Sequence, residues 1–171
     1  MVPVANRSGL QAALESTQGT VTYFLEQLVG ESVDAQVHLH QTVAAPTSND
    51  LEVAEGEPLL QRTATLRGRR TGSPYVYAES VIVTNRMPMR FRLRLESSID
   101  PIGRILHEMG IAITRKNLVG PIGFGASRSE VSVNVGDVLF VRTYRIDSEQ
   151  TPLMVITEWF LKTLNPFFIS A

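Results

Sequence analysis

The sequence predicts an α+β fold, an antiparallel sheet whose few helices cover one face or gather at one end. Three observations lead there. Several long stretches alternate apolar and polar residues with the period of a half-buried strand, as in Val33, Ala35, Val37 and Leu39. Short turn signals such as Gly136-Asp137 join them. Few segments carry helical spacing or a helix start signal.

The elements follow in chain order. Ser8 to Ser16 reads as a short helix. Thr20 or Thr22 can cap a second, with Phe24, Leu25, Leu28 and Val29 at helical spacing and Gly30 as its stop. Val33 to Ala44 is a strand. Ala45 to Pro58, polar and acidic with two prolines, is a long loop, either a lid over a site or a mobile surface segment. Leu59–Gly68 and Tyr75–Thr84 form a hairpin around the turn at Arg69 to Pro74, whose arginine pair is expected to be solvated. Pro88 to Leu95 reads as a short helix. Asp100-Pro101 reads as an N-cap with proline at the first helical position, opening a helix to Met109 that Gly110 ends. Ile111–Leu118, Ser127–Val135, Val138–Ile146 and Leu153–Leu161 are further strands. The glycine-rich run Gly120 to Gly125 precedes a strand instead of joining strand to helix, so it reads as a turn or flap and not as a phosphate cradle. Phe167 and Phe168 pack a tail.

Composition narrows the function. The chain has 171 residues, 43% of them hydrophobic, with a net charge of -1, which suits a single globular domain spanning 1–171. Cysteine is absent, which excludes disulfides, thiolate metal sites and a cysteine nucleophile, and fits a cytoplasmic protein. No apolar run is long enough to span a membrane, and the balanced charge argues against nucleic acid as a partner. Fourteen of the sixteen basic residues are arginine, a composition bias or a supply of carboxylate-matching donor forks. Charge is also segregated: residues 31–57 hold six acids and no Lys or Arg, while residues 62–94 hold eight Arg and one acid, Glu79.

The most informative residues are charges on apolar strand faces. In the segment from Leu153 to Leu161, Glu158 shares a face with Met154, Ile156 and Phe160. A carboxylate there must shift its pKa or find a partner, so it serves either a site or a structural ion pair. Arg62 shares a face with Leu60, Ala64 and Leu66, and a guanidinium cannot escape by losing its proton. Its anion is either Glu158 or the carboxylate of a ligand. Arg142, among Val138, Phe140, Tyr144 and Ile146, and Glu79, between Tyr77 and Val81, repeat the pattern. An enclosed polar pocket for an acidic small molecule accounts for all four. His38 and His40 are expected on one strand face, but a third metal ligand would have to come from distant His107, so no metal site is assigned. No G-x-S-x-G nucleophile elbow is present.

Leu60-Gln61-Arg62, Pro74 to Ser80, Asp100-Pro101-Ile102-Gly103-Arg104, Thr114-Arg115 and Pro152 to Leu161 stand in the order and spacing of the sequence blocks of chorismate lyases. The chain resembles this family, in particular its divergent mycobacterial and cyanobacterial branch, from about Thr20 to Leu164. The resemblance implies an antiparallel sheet with helical flaps closing over an internal ligand cavity. It implies a chorismate pyruvate-lyase that releases pyruvate and leaves 4-hydroxybenzoate for quinone or secondary-metabolite biosynthesis, with no metal or organic cofactor. Residue by residue, it assigns Arg62 to the ring carboxylate, Glu158 to the hydroxyl end of the ring and the Ile102 backbone amide to the ligand carboxylate. Our own reading adds Arg142 or Arg115 for the enolpyruvyl carboxylate. Three features depart from the enterobacterial members: a longer hairpin turn, Glu79 in place of an arginine, and a poor match over 120–135.

Two alternatives stand beside the lyase. The ligand-sensing domain of certain bacterial transcription regulators shares the architecture behind a winged helix, for which the about 19 residues before the second helix are too few. What remains of that reading is a stand-alone binder of an aromatic acid. The other is a lyase for a related chorismate-derived acid. Monomer and homodimer are both compatible with the sequence.

Overall fold

The structure, a computed structural model, describes residues 7–16, 20–119 and 134–168. Two helices, α1 (Arg7–Ser16) and α2 (Val21–Val29), precede strands β1 (Val33–Ala44), β2 (Pro58–Gly68) and β3 (Pro74–Ile82). Helices α3 (Met89–Ser97) and α4 (Ile102–Glu108) follow, then β4 (Thr114–Leu118), β5 (Val138–Ser148) and β6 (Thr151–Leu161). The strands form a six-stranded sheet in the order β1-β2-β3-β6-β5-β4, antiparallel throughout. Among the described residues, no helix is long and apolar enough to cross a membrane.

The helices pack on one sheet face because both partners supply apolar stripes. α2 turns Phe24, Leu25, Leu28 and Val29 inward and ends where Gly30 takes φ 71°, its N–H donating to Glu26 O. With Leu10 and Leu14 of α1, these side chains meet Val33, Ala35, Ala64, Leu66, Val76, Phe140 and Phe160 of the sheet. A second cluster sets Phe91 and Leu95 of α3 and Ile102, Ile105 and Leu106 of α4 on Leu60, Ile82, Met154, Ile156 and Ile146. Between the two clusters the sheet face is polar, and the N-terminal ends of α2 and α4 lie over that seam. Phe167 and Phe168 pack against the first cluster.

Most of the expected elements are present, with shifted ends. The expected β2–β3 hairpin is present, with Arg62 opposite Ser80 and Ala64 opposite Ala78. β5 and β6 are joined at Glu149-Gln150, both with positive φ, the geometry of a tight hairpin turn made here without glycine. The strand expected at Ile111–Leu118 begins only at Thr114. The one expected at 127–135 lies outside the described residues except for its end, where Val135 opens a 3-10 turn running to Asp137. The glycine-rich run at 120–125 lies outside them too.

Three expectations need correction. α4 is capped by Pro101, not Asp100, whose carboxylate instead accepts from Arg94 and Arg104. The charge pairing wins because a flanking proline already starts the helix without a side-chain cap. His38 and His40 do not share a face: a bulge between Val37 and Leu39 shifts the register, so His40 faces Arg62 while His38 bonds Thr65 on the other side. Residues 45–57 are neither a lid over the seam nor loose. Asn49 ties the loop through four hydrogen bonds, and Leu51, fully buried, joins Leu59, Val81 and Val155 on the far sheet face. The arginine pair at the hairpin turn is exposed, as expected, and Arg69 grips Asp34 with a two-pronged bond.

Glu31 organises that turn. Its carboxylate accepts from the Arg70 and Thr71 amides and from the Thr71 and Tyr75 hydroxyls. The Thr71 hydroxyl bond is the largest influence; it and the other donors outweigh the burial that opposes them and hold the Glu31 pKa down to about 2. A folded-state pKa below the unfolded one adds stability that is present above pH 4.5 and lost as pH falls toward 2. Glu31→Gln is therefore expected to lower stability at neutral pH by on the order of 1 kcal/mol, a figure reduced for solvent screening. In thermal melts of both proteins, the gap in Tm should narrow as pH drops from 4.5 toward 2.

Candidate active site

The polar seam holds a narrow cavity of about 40 Å³ that opens to solvent at its mouth. Its floor is Arg62, Ala64, Ala78, Ser80, Ile156 and Glu158 of the three central strands, with Arg115, Tyr144 and Ile146 to one side. Its roof is Thr20, Val21 and Thr22 at the start of α2, and Pro101, Ile102 and Gly103 at the start of α4.

Arg62 is 3% exposed. Its Nε and Nη2 are buried without a hydrogen-bond partner. Burial with no anion beside it pulls the guanidinium down to about 10, still charged at neutral pH. The open question of its partner is answered in part: Glu158 makes its bonds elsewhere. The register sets Glu158 two strands across from Arg62 and two residues along, so their Cα atoms lie about 12 Å apart.

Glu158, 4% exposed, is held on both oxygens. Oε2 accepts from Arg142 Nε at 2.7 Å and Oε1 from the Tyr144 hydroxyl at 2.9 Å. For Arg142, burial alone would lower the pKa, but the Glu158 carboxylate outweighs it and the pKa ends above its ordinary value. Tyr144 is pushed strongly up, by burial first and then by Glu158, so its phenol stays protonated and remains a donor. The Tyr144 ring lies between two guanidinium groups, Arg142 at 4.7 Å and Arg115 at 5.5 Å. The result is a fixed carboxylate acceptor whose orientation is set before any ligand arrives.

Each expected site residue can now be placed. Arg62, Ile102, Arg115 and Glu158 line the cavity together. Arg142 does not; it stands behind Glu158, with Nη1 donating to Leu14 O of α1 at 3.3 Å. Ile102 opens α4, and the first amide used within that helix is Arg104 N–H to Pro101 O, as expected where a helix start leaves its first N–H groups without an internal acceptor. Glu79 belongs to the other face, opposite Thr63 and Thr157, and accepts from the Tyr77 hydroxyl. One pocket therefore does not gather all four charged strand residues. The parity of the hairpin register, 62 against 80, already puts 79 on the reverse side.

Tyr144 and Thr20 are among the lining residues that escaped the sequence reading as site residues. Tyr144 was visible only as a face neighbour of Arg142. Thr20 was read as a helix cap, yet it makes no capping bond, and its buried Oγ1 has no partner. No periodicity marks such a residue, because its position depends on where α2 lands.

Residues 16–168 match the family model described as "Chorismate pyruvate-lyase Rv2949c-like". A chorismate pyruvate-lyase of Mycobacterium tuberculosis is 28% identical over 168 residues, covering 88% of this chain and 79% of that protein. The Mycobacterium leprae chorismate pyruvate-lyase is 27% identical over 160 residues, covering 88% and 73%. Among solved structures, the effector domain of PhnF from Mycobacterium smegmatis matches with a TM-score of 0.56 at 14% identity, covering 86% of this chain and 91% of that one. The C-terminal domain of Yurk from Bacillus subtilis matches with a TM-score of 0.50 at 13% identity, covering 75% and 89%. These two likenesses establish the fold.

Arg62, buried, and Arg142, partly buried, predict stability changes of opposite sign. Arg62→Met keeps the apolar stem and removes an unneutralised charge, so stability should rise by about 1–3 kcal/mol. Arg142→Met strands the Glu158 carboxylate with a single phenol, so stability should fall by about 3–5 kcal/mol. Urea unfolding of both variants checks this; a loss of stability in Arg62→Met would mean that its guanidinium is already satisfied in the free protein.

Proposed function

Because the chain belongs to the Rv2949c-like chorismate pyruvate-lyase family, we propose that it eliminates pyruvate from chorismate to give 4-hydroxybenzoate. One observation carries the reading to this site: a guanidinium, buried and without a partner at two of its nitrogens, lines a narrow cavity opposite a pre-oriented carboxylate. A charge in that setting is retained at a cost to stability, which an anionic ligand offsets.

In this proposal Arg62 clamps the ring carboxylate with its fork of donors, and the Ile102 amide adds a hydrogen bond. Glu158 accepts from the ring hydroxyl. Arg115, which shares the cavity wall with Glu158, receives the enolpyruvyl carboxylate; Arg142 is already committed behind Glu158. The bond from the ring to the enolpyruvyl oxygen breaks, the hydrogen on the ring carbon that bears the hydroxyl leaves as a proton, and the enolpyruvyl methylene takes up a proton. The enolpyruvyl group departs as pyruvate and the ring becomes aromatic. No electrons are exchanged with a partner, and the two products together contain all atoms of the substrate. The chain's share of the work is to hold two carboxylates, keep water out and steady the hydroxyl. Glu158, fixed by Arg142 and Tyr144, is suited to accepting a hydrogen bond throughout and to passing on a proton as the ring aromatises. A roofed product leaves slowly, so its release limits turnover. The reaction is proposed to occur in the cytoplasm, within one domain.

Incubation with chorismate, following 4-hydroxybenzoate absorbance and pyruvate release, tests the activity. Arg62→Ala should lose roughly a hundredfold or more in kcat/KM with the fold intact. Glu158→Gln should lower kcat more than it weakens 4-hydroxybenzoate binding. Tight binding of aromatic acids by the wild type with no pyruvate formed would replace the lyase with a binding protein of the same fold.

A further inference from the structure

We propose that Gly103 is a positioning residue that keeps the roof of the cavity shut. The roof is two helix starts, α2 and α4, and they touch at this glycine. A Cβ placed on Gly103 would fall 2.7 Å from Thr20 Cβ and 2.9 Å from Thr22 Oγ1, closer than carbon atoms pack. Both threonines are buried, at 5% and 2% exposure, and have little space to yield. The backbone at Gly103 does not take a positive φ, so glycine is required here for the close approach and not for its conformational freedom.

α4 cannot simply retreat from an added methyl group. Ile102, Ile105 and Leu106 anchor it in the second apolar cluster. Arg104, the next residue, ties it to the Glu26 carboxylate of α2, to Asp100 at 3.1 Å and to Val33 O at 2.9 Å. Glu26 in turn accepts from the Val33 amide, so the middle of α2 is fixed to β1 as well. Strain from a side chain at 103 is therefore directed at the one end of α2 that these bonds do not hold, its start at Thr20. That end covers Arg62.

The inference rests on the cavity being the ligand chamber, but its main test needs no ligand. Phenylglyoxal modifies accessible arginines, and the peptide carrying Arg62 can be followed by mass spectrometry after a non-tryptic digest. Gly103→Ala is expected to speed modification of Arg62 at least tenfold, with the modification of Arg69 on the exposed hairpin turn unchanged. Relieving both contacts, in the combined variant Thr20→Gly and Thr22→Ala with Gly103→Ala, should bring the Arg62 rate back to within about threefold of wild type. An N-cap tolerates glycine with a loss of only a few tenths of a kcal/mol and alanine suits a helix, so the combined variant should fold even if Gly103→Ala does not. In protein that turns over chorismate, Gly103→Ala should raise KM at least tenfold with a smaller change in kcat. Arg62 modification as slow in Gly103→Ala as in wild type would overturn the proposal, as would a combined variant whose Arg62 reacts fast. If wild type shows no turnover, the lyase reading fails while the labelling result stands on its own.

Discussion

The structure turns on a positive charge kept under cover. Arg62 sits in the centre of β2 with apolar neighbours before and after it on its face, and its guanidinium has two donor nitrogens without acceptors. Such a group costs stability in the empty protein. The surrounding design makes that tolerable. Two apolar clusters lie along the same sheet face on either side of the seam, and each has its own helices. The fold is stabilised at both ends of the face, which leaves the middle to carry a group that contributes nothing to folding. A single continuous core across the sheet would have to expel the charge or neutralise it.

Glu158 shows the opposite treatment of the same problem. It is as buried as Arg62, yet both of its oxygens are used, one by Arg142 and one by Tyr144. Its partners come from the adjacent strand, where Arg142 lies directly opposite it and Tyr144 two residues on. Arg142 and Tyr144 also stack on one another, so the acceptor is braced by a charge pair and by a ring contact. The floor thus presents an unsatisfied donor at one end and a satisfied, fixed acceptor beside it. A ligand that brings a carboxylate to the first and a hydroxyl to the second adds bonds without breaking any that the empty protein relies on.

Much of this was legible in the sequence because a strand's period of two is a strict rule. Arg62, Glu158 and Arg142 were identified as charges on apolar faces from alternation alone, and the register puts all three on the helix-covered face. The same rule failed where a local irregularity resets it. The bulge after Val37 sends His38 and His40 to opposite faces, and nothing in the residues around them announces it. Glu79 looked equivalent to Glu158 until pairing fixed which side of β3 faces the helices. Residues whose role depends on how helices meet the sheet were least legible. Thr20 reads as a cap from its neighbours, and only the approach of α4 reveals that its hydroxyl is buried at the cavity instead. The loop at 45–57 looked like a lid because it is long and polar, but the fully buried Leu51 and the self-bonding Asn49 make it a plug on the far face.

The short block Pro101-Ile102-Gly103-Arg104 shows why a motif can be so compact. Pro101 starts the helix where Asp100 is occupied by two arginines. Ile102 packs in the second apolar cluster and also lines the cavity. Gly103 lets α2 close against α4, and Arg104 bonds α2 and β1 at once. Each of the four positions answers to a different physical demand, and no substitution at one relaxes the others. The PhnF and Yurk domains share the fold at 14% identity or less, and a fold by itself fixes no chemistry. What separates one user of this architecture from another is the content of the seam, and in this chain the seam holds a bare guanidinium, a braced carboxylate and two helix starts drawn together over them.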